Sequence, residues 1–286
     1  MSGGEALSGT LYLVGTPIGN LEDITFRAVR VLKQVDLIAC EDTRQTRKLL
    51  NHYEIGTPAI SYHQHNERER SRELIEKLLG GSSLALVSDA GMPLISDPGY
   101  SLVRAAIDGG VRVEAVPGPS ALLAALAASG LAAGAFHFGG FLPAKSGQRL
   151  RALEALRGET DTWVFFEAPH RILETLTAIA EVLGGRPVVV ARELTKIHEE
   201  FLRGPADAIR TALAARDAVR GEITLLIGGH TGAAEDSTPL AEAVETCLSE
   251  GMSRMQAIKT VAQRRGLPKR AVYAELERLK RPFPAT

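Results

Sequence analysis

The chain has 286 residues, of which 45% are hydrophobic and 23% charged, and its formal net charge is −1. This length and composition are typical of a globular protein with two compact domains and room for a small third one. No apolar run approaches the roughly 18 to 20 residues of a membrane span, the N-terminus lacks the features of a signal peptide, and two distant cysteines argue against a disulfide framework. We therefore expect a cytoplasmic protein without a membrane-bound part.

The first part of the chain alternates short apolar strands with helices. Residues 1–9 are predicted to be a disordered lead. Five predicted strands follow, at residues 10–15, 35–40, 59–62, 84–87 and 111–116. Because helices and short connections separate the strands, the pattern predicts an N-terminal α/β domain over residues 10–120 with a mostly parallel sheet.

The most distinctive segment is the loop after the fourth strand, SDAGMPLISDPG at residues 88–99. Strand-to-helix connections are usually about two to six residues long, and this one is longer and rich in Gly and Pro. Open α/β sheets bind ligands in loops at the carboxyl ends of their strands. Loops of the same character, TPIGN and PGPS, follow the first and fifth strands. Together they predict a ligand site at this edge of the sheet.

The alternating pattern restarts after an Ala-rich helix. Predicted strands at residues 136–141, 162–166, 187–192, 200–203 and 222–227, with helices between them, indicate a second α/β domain over residues 121–229. Clefts between such domains are favoured ligand sites, so we expect the site to lie between the two domains.

The C-terminal part differs from the rest in composition and charge. A Gly/Ala/Ser-rich linker at residues 230–237 precedes three predicted helices within residues 238–286. Residues 251–286 hold nine Lys/Arg and two Glu, a net charge of +7, whereas the first 250 residues carry −8. Two helices joined by a tight Gly-containing turn, the second of them basic, are typical of a helix-turn-helix that binds nucleic acid. The alternative is a small helical cap with a solvated basic face.

Seven motifs, in order along residues 10–229, resemble the ribosomal RNA small subunit methyltransferase I family, the RNA-directed branch of the tetrapyrrole-methylase superfamily. They are LVGTPIGNLEDIT, EDTRxT, SYHxHNE, SDAGxPxISDPG, PGPSA, FFEAPHR and ARELTK. The resemblance implies two α/β domains of the class III methyltransferase type, with S-adenosylmethionine in the cleft between them and a helix-turn-helix-like C-terminal domain. It also implies 2′-O-methylation of a cytidine ribose in the decoding centre of 16S ribosomal RNA during small-subunit maturation. The implied partners are 16S RNA or the 30S subunit and, in a cytoplasmic homodimer, a second copy of the chain.

The resemblance further implies that the cofactor is held largely by main-chain groups of loops from both domains. The matching positions are Ile18, Asp89, Ala90, Gly91, Met92, Pro93, Ile95, Ser96, Ser120, Ala121, Phe166, Glu167, Leu194, Ile223 and Thr224. Gly91 and Pro93 suit a backbone that must approach a ligand closely and stay in place. Ser120, at the start of a predicted helix, is well placed for the cofactor carboxylate.

Methyl transfer to a ribose hydroxyl requires alignment of the reactants and is helped by a base or an oxyanion-stabilising cation. The polar candidates on the predicted cleft loops are Glu41, Asp42, Glu167, Glu193 and Lys196. The alternative is that Glu41–Arg44 and Glu193–Lys196 are ion pairs that fix loops.

The RNA contacts are predicted on two parts of the chain. His63 and His65 form an H-x-H pair, but no third ligand stands at metal-binding spacing, so we expect no metal there. A place on an RNA-facing rim, together with Arg44, suits these side chains better. In the basic tail the predicted RNA-binding residues are Arg254, Arg264, Arg265, Lys269 and Arg270.

Three other functions compete with this one. Methylation of a tetrapyrrole or another small molecule is disfavoured by the basic tail and by Thr16–Pro17, which stand where corrin enzymes use a Gly-rich loop. A nicotinamide dehydrogenase would need a G-x-G-x-x-G segment opening the first helix. The sequence does not distinguish an active RNA methyltransferase from a non-catalytic RNA-binding assembly factor with a vestigial pocket.

Overall fold

A computed structural model describes residues 9–230, 239–264, 267 and 269–280. Apart from Gly9 and His230, the predicted lead and linker lie outside the described residues. The strands are β1 (Thr10–Val14), β2 (Leu37–Cys40), β3 (Ala59–Ser61), β4 (Leu84–Val87), β5 (Arg112–Val116), β6 (Phe136–Phe141), β7 (Thr162–Glu167), β8 (Pro187–Arg192), β9 (Glu200–Pro205) and β10 (Ile223–Ile227). The α-helices are α1 (Phe26–Gln34), α2 (Thr43–His52), α3 (Glu67–Leu79), α4 (Tyr100–Asp108), α5 (Ala121–Ser129), α6 (Ser146–Ala155), α7 (Ile172–Leu183), α8 (Ala206–Ala214), α9 (Leu240–Ser249), α10 (Arg254–Arg264) and α11 (Lys269–Lys280).

The first sheet is parallel throughout, in the order β3-β2-β4-β1-β5, which confirms the predicted α/β class. Its central strand β4 is buried on both faces because successive side chains point to opposite sides. Ala85 and Val87 pack with residues of α1 and α2, whereas Leu84 and Leu86 pack with residues of α3 and α4. Since all five strands run the same way, the loops that follow them meet at one edge of the sheet.

The second sheet is mixed, in the order β6-β7-β10-β8-β9. Only β6 and β7 are parallel, and the other three pairings are antiparallel. One face is covered by residues of α6, α7 and α8, and the opposite face packs against α5. The start of β10 therefore lies at the same edge of this sheet as the ends of β7 and β8.

Helix α5 connects the two sheets. It follows β5 of the first sheet, yet its Ala125 and Leu126 pack on the second sheet. Its C-terminus is followed by Gly130, in the left-handed conformation (φ 80°) that favours glycine. The guanidinium of Arg203 on β9 donates hydrogen bonds to the carbonyls of Ala128 (2.6 Å) and Ser129 (3.0 Å). A cation at this end of the helix satisfies carbonyls that have no partner within it.

Helices α9, α10 and α11 pack on one another around a core of their own. Its buried members include Cys247, Ile258 and Val272. On the surface, Arg254 of α10 forms an ion pair with Glu277 of α11, with an N–O distance of 3.1 Å. In the part of the chain that the structure describes, no helix combines the length and the apolar character needed to cross a membrane.

Candidate functional site

The loops that follow β1 and β4 are joined by backbone hydrogen bonds. The amide of Thr16 donates to the carbonyl of Gly91 (2.9 Å), and the amide of Gly91 donates to the carbonyl of Thr16 (3.1 Å). The Thr16 hydroxyl also donates to the carbonyl of Ser88 (3.1 Å). Leu94 and Ser96 have positive φ angles of 72° and 67°, a strained conformation for residues other than glycine. The loop is thus held in one particular shape at the edge of the sheet.

A cavity of about 360 Å³ lies between this edge and the second sheet. All of the predicted cofactor residues line it except Asp89 and Pro93. Asp89 is exposed, and its carboxylate accepts a hydrogen bond from the amide of Asp42 (3.0 Å), while Pro93 is buried. Ser120 lines the cavity, and its hydroxyl also caps α5 by accepting from the amide of Leu123 (3.4 Å).

Six further residues line the same cavity and were not predicted. They are Asp97, Phe141, Ala168, Pro169, Gly221 and Glu222. Gly221 and Glu222 are brought there because β10 runs antiparallel to β7 and β8, which the sequence pattern does not reveal. Asp97 belongs to the loop that the sequence singles out, so its place in that loop was a signal that could have identified it.

Loops of the two sheets also contact each other directly at the cavity. Gly19, after β1, lies so close to residues 194–196 that a Cβ atom there would be 2.9 Å from the carbonyl oxygen of Leu194. Ile18 and Leu194 are both buried in one apolar cluster with α5. The first and second sheets therefore share a continuous apolar wall on this side of the cavity.

Several carboxyl groups stand next to the cavity at the ends of β2 and β4. Burial and the negative charges of Glu41 and Asp89 together raise the pKa of Asp97 to about 6, against an opposing hydrogen bond from Ser88. Burial also raises the pKa of Glu41. The negative charges of Asp89 and Asp42 raise it as well, whereas His63 lowers it. A carboxyl group whose pKa approaches neutrality beside a cavity is typical of functional sites.

Asp42, one of the predicted catalytic candidates, has a structural role at the start of α2. Its carboxylate caps α2 by accepting from the amide of Arg44 (2.8 Å) and forms an ion pair with the Arg44 guanidinium (2.9 Å). These hydrogen bonds from Arg44 lower the pKa of Asp42. The loop-fixing ion pair that the sequence suggested for Glu41 and Arg44 is therefore formed by Asp42 instead.

Glu167 lines the cavity, but both of its carboxylate oxygens are engaged. They accept from the Thr175 hydroxyl (2.7 Å) and the Ala168 amide (2.8 Å), and the Arg171 guanidinium lies 3.4 Å away. The side chain has no solvent exposure. This geometry favours a role in holding the turn between β7 and α7 over proton transfer.

Glu193 and Lys196 form the ion pair that the sequence offered as an alternative, with an N–O distance of 2.9 Å. The hydrogen bond from Lys196 and a backbone hydrogen bond from Glu222 lower the pKa of Glu193. Burial disfavours the charge on Lys196, but its hydrogen bonds to Glu193 and Glu222 outweigh this and raise its pKa. The pair fixes the loop after β8 at the cavity.

The predicted RNA contacts on the first domain lie at the same sheet edge as the cavity. The Arg44 side chain is 88% exposed, and the rings of His63 and His65 stand edge to face, 5.8 Å apart. The Nδ1 atom of His63 is buried without a hydrogen-bond partner. Within the described residues, no group of three or more His, Cys, Asp or Glu is arranged to hold a metal ion.

The predicted contacts on the tail are partly described. Lys269 and Arg270 are exposed at the start of α11. Arg254 is half-exposed in its ion pair with Glu277. Arg265 and the side chain of Arg264 lie outside the described residues.

The fold defines the class of the protein. Residues 10–210 match the family described as Tetrapyrrole (Corrin/Porphyrin) Methylases. Among solved structures, the chain is similar to a uroporphyrin-III C-methyltransferase from Thermus thermophilus complexed with S-adenyl homocysteine, at 22% identity and a TM-score of 0.54 over 77% of this chain and 97% of that one. It is also similar to diphthine synthase, at 15% identity and a TM-score of 0.61 over 95% and 100% of the two chains.

Curated relatives specify the family within this class. The protein named Ribosomal RNA small subunit methyltransferase I in Halalkalibacterium halodurans is 49% identical over 272 residues, 93% of each chain. The protein of the same name in Bacillus subtilis is 47% identical over 277 residues, 94% of each chain. The chain therefore belongs to the ribosomal RNA small subunit methyltransferase I family of the tetrapyrrole methylases.

Proposed function

We propose that the protein transfers a methyl group from S-adenosylmethionine to the 2′-hydroxyl of a cytidine ribose in 16S ribosomal RNA during maturation of the small subunit. The observation that carries this proposal is the identity of 47–49% to ribosomal RNA small subunit methyltransferases along almost the whole chain. A span of 93–94% of the chain is too long to be confined to the two α/β sheets, so it also takes in part of the C-terminal helical region.

The cavity suits the cofactor in size and in charge. Its volume of about 360 Å³ is in the range of small-molecule sites. Three of its lining residues are acidic (Asp97, Glu167 and Glu222), and none of those described is Lys or Arg. S-adenosylmethionine carries two positive groups and one carboxylate, whereas a nicotinamide dinucleotide carries two phosphates. An acidic cavity thus favours the former over the latter.

When bound, S-adenosylmethionine supplies a methyl group activated by its attachment to a positively charged sulfur. The apolar walls formed by Ile18, Leu194 and Ile223 would hold its adenosine part, and main-chain groups of residues 90–96 would bind its polar part. Because the Thr16–Gly91 hydrogen bonds and the Glu193–Lys196 pair fix these loops, the protein can align the reactants without first ordering the site.

The RNA would lie across the edge of the first sheet and the basic tail. Arg44 stands in the first turn of α2, His63 and His65 stand on the loop after β3, and Lys269 and Arg270 offer exposed charges to phosphates. We also propose a cytoplasmic homodimer. Its support is the exposure of large apolar side chains such as Phe26 (97%) and Ile197 (94%), which a second copy would cover.

The test is methyl transfer from labelled S-adenosylmethionine to naked 16S RNA and to 30S subunits, followed by mapping of ribose methylation. We expect label on a cytidine 2′-oxygen of at least one of the two substrates. Cofactor binding without transfer to either would favour the non-catalytic assembly factor, and transfer to a tetrapyrrole but not to RNA would favour the small-molecule methylase.

A further inference from the structure

The acids that line the cavity differ in what they are bound to. Glu167 is fully engaged by Thr175, Ala168 and Arg171. Glu222 forms an ion pair with Lys196 (3.1 Å), and its side chain is 75% exposed. Asp97, in contrast, is partly buried and forms no ion pair within the described part of the chain. It is the cavity acid whose carboxylate is not committed to a cation.

The position of Asp97 is fixed by its loop. It follows Ser96, which has a positive φ angle, and precedes Pro98, whose ring restricts the backbone. Gly99 comes next, and a Cβ there would be only 2.8 Å from the Leu86 side chain, so the loop passes close against β4. The amide of Gly99 donates a hydrogen bond to the Glu67 carboxylate on α3 (3.3 Å). The residues before and after Asp97 in the chain therefore both fix its position at the cavity.

The charged groups that face Asp97 come from several elements. Glu41 and, beyond it, Asp42 follow β2, Asp89 belongs to the same loop as Asp97, and His63 follows β3 close to Glu41. From the second sheet, Glu222 lines the same cavity. Burial, together with Glu41 and Asp89, raises the pKa of Asp97 to about 6. A base is most effective when its pKa lies near the working pH, so this environment suits proton transfer at neutral pH.

We propose that Asp97 is the general base that accepts the proton of the ribose hydroxyl, and that Glu41 is a positioning residue that sets how readily Asp97 does so. The inference rests on the proposed function. As the hydroxyl oxygen attacks the methyl carbon, the new C–O bond forms and the C–S bond breaks with its electron pair remaining on sulfur. The hydroxyl proton passes to the Asp97 carboxylate, so that the sulfonium and the carboxylate both become neutral.

The first experiment compares Asp97→Asn with Asp108→Asn, which makes the same change in an exposed ion pair with Arg104 on α4. We expect kcat for RNA methylation to fall by about 10²- to 10⁴-fold in the former and to be unchanged in the latter. The affinity for S-adenosylmethionine, measured by calorimetry, should change by less than tenfold. An Asp97→Asn variant that binds the cofactor and methylates at the wild-type rate would overturn the proposal.

The second experiment uses Glu41→Gln and does not depend on the stability of the Asp97 variant. Removing the negative charge of Glu41 should lower the pKa of Asp97, so the acid limb of the kcat profile should move to lower pH. Titration of the Asp97 carboxyl carbon by NMR, in the protein without cofactor, should move in the same direction. An unchanged limb and titration would contradict the role of Glu41, and loss of activity at every pH would identify Glu41 itself as the base.

The two proposals can fail separately. If the wild-type protein methylates RNA but is indifferent to Asp97→Asn, the base assignment is wrong and the function stands. If the wild-type protein transfers no methyl group to either RNA substrate, the function is wrong and the base assignment falls with it.

Discussion

The close approach of two backbones beside the cavity leads to a sharp prediction for Gly118→Ala. Gly15 follows β1 and Gly118 follows β5, and a Cβ on Gly118 would lie 2.8 Å from the Cα of Gly15. Non-bonded carbon atoms are normally about 3.5 Å or more apart, so the two segments would have to separate by roughly 0.7 Å. Hydrogen bonding resists this, since the Gly15 amide donates to the carbonyl of Val116 (3.1 Å).

The cost of this separation can be distributed in two ways. Overpacking of a well-packed region costs about 1–3 kcal/mol. If the sheet absorbs it, the free energy of unfolding falls by that amount. If the loop absorbs it, Ser120 and Ala121 move at the cavity wall and cofactor affinity falls by up to about 100-fold, since about 1.4 kcal/mol corresponds to tenfold. We expect the two effects together to account for the full cost.

The assay is urea unfolding and calorimetric titration with S-adenosylmethionine on the same preparation. Gly147→Ala is the matched control, because a Cβ at this position in α6 would have no atom within 4 Å apart from its chain neighbours and the adjacent backbone of its own helix. It should leave binding unchanged and be neutral or stabilising by about 0.5–1 kcal/mol. Wild-type stability together with wild-type affinity in Gly118→Ala would refute the steric reasoning.

Two further predictions concern other parts of the molecule. The bidentate hydrogen bonds from Arg216 and the contact with Arg192 lower the pKa of Glu200 from 4.5 to about 2. Because solvent screens this partly exposed cluster, Glu200→Gln should lower the free energy of unfolding at neutral pH by at most about 2–3 kcal/mol. This loss of stability should vanish as the pH falls from about 4.5 to about 2. A loss that does not depend on pH in thermal unfolding would contradict the assignment. Deletion of residues 238–286 should weaken RNA binding and reduce its salt dependence while sparing cofactor affinity; unchanged anisotropy titrations at two salt concentrations would exclude the tail as an RNA contact.

Much of the fold was predictable because its strands are short apolar runs bounded by turn residues. The run LALV at β4 is buried at every position, and the sequence locates it to the residue. Helix α2 begins after Asp42, whose carboxylate caps it, and such caps are local signals. The pairing of β10 with β7 and β8 was not predictable, since it joins segments far apart in sequence and leaves no periodic trace.

The same distinction applies to the candidate site. Loops that carry their own signature, such as residues 88–99, could be identified from Gly and Pro content. The environment of Asp97 could not, because it depends on β2 lying next to β4 and bringing Glu41 alongside. Glu167 did offer an unused signal: Arg171, the N-cap of α7, and Thr175, one turn further along the same helix face, both contact its carboxylate.

The separate core of α9–α11 has a thermodynamic consequence. A unit of about 40 residues buries too little apolar surface to be very stable alone, and among the described residues its core shares none with the clusters of the two sheets. It should therefore melt as an independent transition, below the temperature at which the two sheets unfold. If the tail binds RNA as proposed, warming would abolish this contact while the cofactor cavity remains intact, so RNA binding rather than cofactor binding would set the upper temperature of activity.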